Sequence, residues 1–92
     1  MISYEYHKSE LTITERKTES DYEFEFKVQS DNVLRHLKEV RNELEGNDDL
    51  TDVSFATSPG NVYSAAVRHN FRTDFLLILF KHQVLHTVKR DD

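Results

Sequence analysis

Residues 75–80 read Phe-Leu-Leu-Ile-Leu-Phe and form the only long apolar run in this chain of 92 residues. The ten residues that follow are amphipathic. On a helix over 74–90, turning about 100° per residue, one stripe holds Leu76, Leu77, Phe80, Val84, Leu85 and Val88. Phe75 and Leu79 fall outside this stripe. The pattern therefore predicts apolar helix surface that another segment, or another chain, must cover.

The same run has a second interpretation. Six apolar residues also suit a strand that is buried on both faces, and periodicity alone does not separate the two structures. The amphipathic continuation favours a helix, as does the lack of turn-forming residues over 81–83. The sequence therefore favours one long helix, with the buried central strand as the alternative.

Strand patterns occupy much of the remaining chain. The most regular alternation places Tyr22, Phe24, Phe26 and Val28 on one face of a strand. Two further alternating runs flank Pro59-Gly60, which is typical of a β-hairpin closed by a type II-like turn. Upstream, apolar residues alternate over 4–6 and 11–13, with a change of phase over 8–10 that predicts a bulge or a short turn.

A first helix is predicted after these strands. Val33, Leu37, Val40 and Leu44 recur at helical spacing, Ser30 or Asp31 is suited to the N-cap, and Gly46 to a left-handed C-cap. The chain is then a single α+β domain over residues 1–92, in the order ββαββα. We expect an antiparallel sheet of about four strands with two helices on one face. The predicted core comprises Tyr22, Phe24, Phe26, Val28, Phe55, Tyr63, Ala65 and Val67 on the sheet, and Leu34, Leu37, Val40, Leu44, Leu76, Phe80 and Val84 on the helices.

Composition limits the classes of function. The absence of cysteine excludes a disulfide scaffold, a thiolate zinc site and a cysteine nucleophile. The N-terminus lacks the pattern of a signal peptide, and six apolar residues are too few to cross a bilayer, which needs about 20. We expect a cytoplasmic protein without a membrane segment.

Charge is divided unevenly along the chain. Residues 1–60 carry seven Lys/Arg and fourteen Asp/Glu, a formal net charge of −7, whereas residues 61–92 carry five and three, a net charge of +2. The basic part could bind nucleic acid or another anion, and this is the alternative function that the sequence offers. Its residues are Arg68, Arg72, Lys81, Lys89 and Arg90.

Signals for metal binding or catalysis are weak. His82 and His86 are four residues apart and would project from one face of a helix, as metal-binding pairs do. No third ligand is placed by the sequence, so we predict no metal and no cofactor. No glycine-rich loop, nucleophile elbow or acid–base spacing nominates a catalytic residue.

The sequence therefore favours a non-catalytic protein that binds or regulates other proteins. We expect a homodimer whose interface contains Phe75, Ile78 and Leu79, the apolar residues on or near the uncovered side of the predicted helix. An unidentified protein partner is the other candidate.

Overall fold

A computed structural model of the chain describes residues 2–46 and 53–90. Its elements are six strands and two helices, together with one 3₁₀ turn at His69–Phe71 that leads directly into the second helix. In chain order they are β1 (Ile2–Glu5), β2 (Leu11–Lys17), β3 (Asp21–Val28), α1 (Asp31–Glu45), β4 (Val53–Ser58), β5 (Val62–Arg68), α2 (Arg72–Lys81) and β6 (Thr87–Arg90).

The main sheet has four antiparallel strands in the order β2-β3-β5-β4. Its register sets Phe24 opposite Ala65 and Phe26 opposite Tyr63, and all four side chains are buried on the helix side. Gly60 closes the β4–β5 hairpin with a φ of 83°, a left-handed value that glycine adopts without strain. The α+β class, the strand at 21–28 and the hairpin around Pro59-Gly60 are thereby confirmed.

Helix α1 buries the four residues that the spacing predicted, Val33, Leu37, Val40 and Leu44. Both predicted caps differ from the structure. Ser30 occupies the N-cap, but its hydroxyl makes no capping bond and donates instead to Glu10 Oε1 at 3.4 Å. Gly46 is right-handed, with a φ of −78°, because the chain continues the helical turn and bonds back to the carbonyl of Asn42.

The predicted long helix over 74–90 is wrong in its second half. Residues 75–80 are helical, so the alternative of a central strand is also wrong, but α2 ends at Lys81 and the chain returns as β6. The cause is a Schellman turn, in which the N–H of Gln83 donates to the carbonyl of Phe80 and that of Val84 to the carbonyl of Leu79, at 3.0 and 2.9 Å. Gln83 takes the left-handed position of this turn with a φ of 65°.

A second sheet follows from that turn. Strand β6 pairs with β1 in antiparallel register, with Ile2 opposite Arg90 and Glu5 opposite Thr87. The predicted order ββαββα is therefore wrong, since the N-terminal strand belongs to a separate ribbon with the C-terminal one. Lys89 and Arg90, predicted to end a helix, lie on this ribbon.

The buried face of α2 also differs from the prediction. Phe75 and Leu79, predicted to be exposed, are fully buried with Leu76, whereas Leu77 is 49% and Phe80 is 46% exposed. Ile78 is partly buried against the core. Among the described residues, no helix is long and apolar enough to cross a membrane.

Candidate functional site

A cleft of about 440 Å³ opens where three segments of the chain meet. The β1–β2 turn contributes His7 and Glu10, the first turns of α1 contribute Asn32 and His36, and the segment from α2 to β6 contributes Gln83 and His86. The apolar side chains of Val33, Phe80 and Leu85 complete its walls. Because three of the chain's five histidines line it, we call it the histidine cleft.

Two of these histidines hold the walls together. The rings of His7 and His86 stack with their centroids 4.8 Å apart and their planes 15° apart. The backbone N–H of His86 donates to the carbonyl of Glu5 at 2.9 Å, and the turn after β1 is closed by a bond from the N–H of Glu10 to the carbonyl of His7. The stack therefore joins two segments that lie almost eighty residues apart in the sequence.

Two exposed apolar side chains, Leu77 and Phe80, stand at the border that we call the mouth of the cleft. Leu77 and Phe80 are three residues apart on α2, so their side chains are neighbours on its solvent face. Phe80 also lines the cleft. These two are the exposed large hydrophobic residues of the described chain, in contrast to the fully buried Phe75 and Leu79 on the other side of the same helix.

An ion-pair cluster joins the end of α2 to α1. Lys81 and His82 both bond to Glu43, the latter through Nε2 at 2.8 Å, and His82 Nδ1 lies 3.6 Å from a carboxylate oxygen of Glu39. The hydrogen bond from Lys81, followed by that from His82, holds the pKa of the Glu43 carboxyl below its usual value. His82 is therefore engaged in an interhelical bond.

The candidate metal pair of His82 and His86 does not lie on one helix face. His82 follows the last residue of α2, and His86 lies beyond the Schellman turn and stacks on His7, so the two do not share a helix face. Within residues 2–46 and 53–90, no group of three or more metal-ligating side chains is placed to hold a metal ion.

The five predicted anion-binding residues lie on three different elements of the fold. Arg68 ends β5 opposite Asp21, whereas Lys89 and Arg90 lie on the β1–β6 ribbon. Arg72 and Lys81 stand at opposite ends of α2, which is about 15 Å long for ten residues. Lys81 is paired with Glu43.

The side chain of Arg72 is buried and hydrogen-bonded within the protein. Its Nε and Nη2 donate to the two carboxylate oxygens of Glu15 at 2.6 and 3.1 Å, and its Nη1 donates to the carbonyl of Ile2 at 2.9 Å. The hydrogen bonds to Glu15 raise the pKa of the guanidinium. Tyr4 donates to the same carboxylate, and burial together with the charge of Glu15 raises the pKa of its phenol far above the ordinary value.

This Arg72 network joins α2 to both sheets, because Glu15 belongs to β2 and Ile2 and Tyr4 to β1. It was not predictable from the sequence, because nothing in the local pattern connects residue 15 with residue 72. Its geometry is that of a structural clamp, in which the guanidinium meets a carboxylate in bidentate fashion.

A second concavity lies on the face of the main sheet away from the helices, with a volume of about 430 Å³. Small side chains of β4 and β5 form its floor, among them Ala56 and Ala66. Glu23, at its border, pairs with Arg16 on the neighbouring strand. Its charges are therefore compensated locally, and it offers fewer distinctive groups than the histidine cleft.

No protein-family model, curated protein or solved structure matches this chain. The candidate site is therefore the histidine cleft together with the exposed Leu77 and Phe80 at its border.

Proposed function

We propose that this chain is a non-catalytic protein that binds another protein at the mouth of the histidine cleft. The observation that carries the proposal is the adjacent exposure of Leu77 and Phe80, at 49% and 46%, beside a cavity large enough for one or two side chains. Large apolar residues at the centre of a contact supply much of the affinity in protein complexes.

Burial of the exposed parts of Leu77 and Phe80 would contribute to the binding free energy. Full burial of a leucine or phenylalanine side chain contributes about 1.5–3 kcal/mol, so covering the exposed halves of these two contributes about 2 kcal/mol in total. The histidine cleft adds concave surface beside them, with Val33 and Leu85 in its walls. A partner segment that places an apolar side chain in this cleft would bury the concave surface together with the exposed side chains of Leu77 and Phe80.

The polar groups of the cleft suit the backbone of such a segment. The side-chain amides of Asn32 and Gln83 can each donate and accept hydrogen bonds, as a peptide requires. His7 and His36 add ring nitrogens of either role. The expected partner therefore presents one or two large apolar side chains on an accessible segment, rather than a strongly charged surface.

Binding of nucleic acid or another anion stays a prediction. The ion pairs of Arg72 with Glu15 and of Lys81 with Glu43 favour the protein-binding proposal. A fluorescence titration with short DNA and RNA at two salt concentrations tests the alternative. Affinity that falls steeply with salt would support it.

The protein-binding proposal is tested by capture from the cell of origin, followed by calorimetry with the purified partner. The variants are Leu77→Asp and Phe80→Asp, which place a charge on an exposed position and should leave the fold intact. Thr12→Asp, an exposed position on β2, is the matched control.

We expect both helix variants to weaken binding at least tenfold, which corresponds to about 1.4 kcal/mol, and the control to bind as the wild type does. Equal affinity of all three variants for the partner would reject the surface proposed here.

A further inference from the structure

The two edges of the main sheet differ sharply. Strand β2 forms one edge, and Tyr6, the residue after β1, covers part of it, because its hydroxyl accepts from the N–H of Ile13 at 3.2 Å and donates to its carbonyl at 3.4 Å. Strand β2 also carries three charged residues, Glu15, Arg16 and Lys17. Covering an edge and placing charge on it are the two usual protections against pairing with another strand.

Strand β4 forms the other edge, and neither protection is found on it within residues 2–46 and 53–90. No strand of the described chain pairs with its outer side, and its sequence, Val-Ser-Phe-Ala-Thr-Ser, has no charged residue and no proline. A row of unpaired N–H and carbonyl groups on such a strand is a template for another strand.

The aromatic core reaches this unprotected edge. The ring of Phe55 on β4 lies 6.4 Å from that of Phe26 and 5.7 Å from that of Tyr63, measured between centroids. Phe26 is fully buried, whereas Phe55 is only partly buried. The outermost ring of the cluster is therefore incompletely covered.

We propose that two copies of this chain associate through β4, which pairs antiparallel with its counterpart and joins the two main sheets into one of eight strands. The partner is a second copy because β4 is neutral and self-complementary. Two such strands meet without charge repulsion, whereas a charged strand from another protein would find no opposite charge on β4 itself.

The geometry of the sheet selects the register. Directly opposite residues of an antiparallel pair point to the same face, as Phe55 and Ala65 do. A two-fold axis at Phe55 then sets the two Phe55 rings opposite each other on the helix side and Val53 opposite Thr57. It also places Ser54 opposite Ala56 on the other face, so each residue of β4 stays on the face of the sheet that it occupies in the single chain.

This surface is separate from the mouth of the histidine cleft, so either proposal can fail without the other. Sedimentation equilibrium at about 100 μM is the first measurement, since even a weak micromolar dimer forms at that concentration. We expect a dimer for the wild type. A monomer at this concentration would overturn the inference.

The first variant is Thr57→Lys, which places a lysine on an exposed position of the unprotected edge. We expect the dimer dissociation constant to rise at least tenfold. Thr14→Lys, exposed on the protected strand β2, is the matched control and should dimerise as the wild type does. Dimerisation of Thr57→Lys with unchanged affinity would also overturn the inference.

The register is tested with disulfides, since the chain has no cysteine of its own. Opposite residues of an antiparallel pair have their Cα atoms about 4.5–5.5 Å apart, within the range that a disulfide spans. A mixture of Val53→Cys and Thr57→Cys chains should therefore form a mixed disulfide on oxidation. Neither variant alone should cross-link, because its two cysteines lie four residues apart along the strands, about 13 Å. A cross-link within either variant alone, or none in the mixture, would refute this pairing.

Discussion

The Schellman turn after α2 makes a specific prediction about stability. Gln83 holds a φ of 65°, the position that glycine usually occupies in this turn. A residue with a Cβ in the left-handed region costs about 1–2 kcal/mol relative to glycine. Glycine, however, loses more conformational entropy on folding, and this loss offsets about 0.5–1 kcal/mol of the gain from relieved strain. Gln83→Gly should therefore raise the free energy of unfolding by about 0.5–1 kcal/mol.

Thermal and urea denaturation followed by circular dichroism would measure this effect. For a chain of this size, a gain of 0.5–1 kcal/mol corresponds to a rise of about 2–8 °C in Tm. Gln83→Ala is the matched control, because alanine removes the exposed side chain but keeps the strained backbone, so its stability should stay within about 0.5 kcal/mol of the wild type. The free energy of unfolding should be higher for Gln83→Gly than for Gln83→Ala.

Gly60 provides the opposite test in the same protein. Its φ is 83°, and a Cβ added there would meet nothing within 4 Å. Gly60→Ala should therefore lose about 1 kcal/mol through backbone strain alone. The reasoning about the Schellman turn is refuted if Gln83→Gly is no more stable than Gln83→Ala while Gly60→Ala is destabilised as expected.

Three further predictions follow from the contacts of the folded chain. Glu15→Gln should cost about 2–4 kcal/mol because it leaves the buried guanidinium of Arg72 without a counter-charge, and adding Arg72→Met should recover part of that loss in a double-mutant cycle followed by urea denaturation. The pKa of the Glu43 carboxyl is lowered by folding, so the stability it contributes is present above its unfolded value of 4.5 and is lost as the pH falls through the folded value; Glu43→Gln should be less stable than the wild type at pH 7, and the difference should shrink progressively as the pH is lowered below 4.5. Leu79→Ala should cost about 2–5 kcal/mol and Leu77→Ala less than about 0.5 kcal/mol, and similar losses at the two positions would contradict the orientation of α2.

The strands of the main sheet and α1 were predictable because each of them buries one face. Tyr63, Ala65 and Val67 of β5 are buried while their neighbours are more exposed, and this period of two is visible in the sequence. Helix α1 shows the corresponding helical period at Val33 and Leu37. In both cases a local pattern carries the information.

The end of α2 was not predictable in the same way. A Schellman turn usually has glycine at its left-handed position, whereas this one has glutamine there. Without that signal, the spacing of Val84, Leu85 and Val88 predicts a longer helical stripe. Including them rotated the predicted buried face toward Leu77 and Phe80, although the helix itself is apolar on nearly every side.

The histidine cleft was beyond local patterns altogether. His7, His36 and His86 come from three segments that meet only in the folded chain. Neighbouring residues in the sequence give no reason to expect their proximity. Their spacing of four residues made His82 and His86 a candidate metal-binding pair, but the fold places them on different segments.

A single turn connects the two surfaces proposed for binding. Because the chain reverses at Gln83, Phe80 is left at the mouth of the cleft, and the following residues return as β6 to pair with β1. Pairing with β6 gives β1 a fixed place beside the main sheet, where Tyr6 follows it and bonds to the backbone of β2. The covered edge of the sheet therefore depends on the C-terminal strand. A helix continuing through residue 90 would have left β1 without its partner strand, and β2 would have kept its charged residues but lost this cover. The turn thus makes the two edges of the main sheet different, since the segment after β1 bonds to β2 while no strand of the described chain pairs with the outer side of β4.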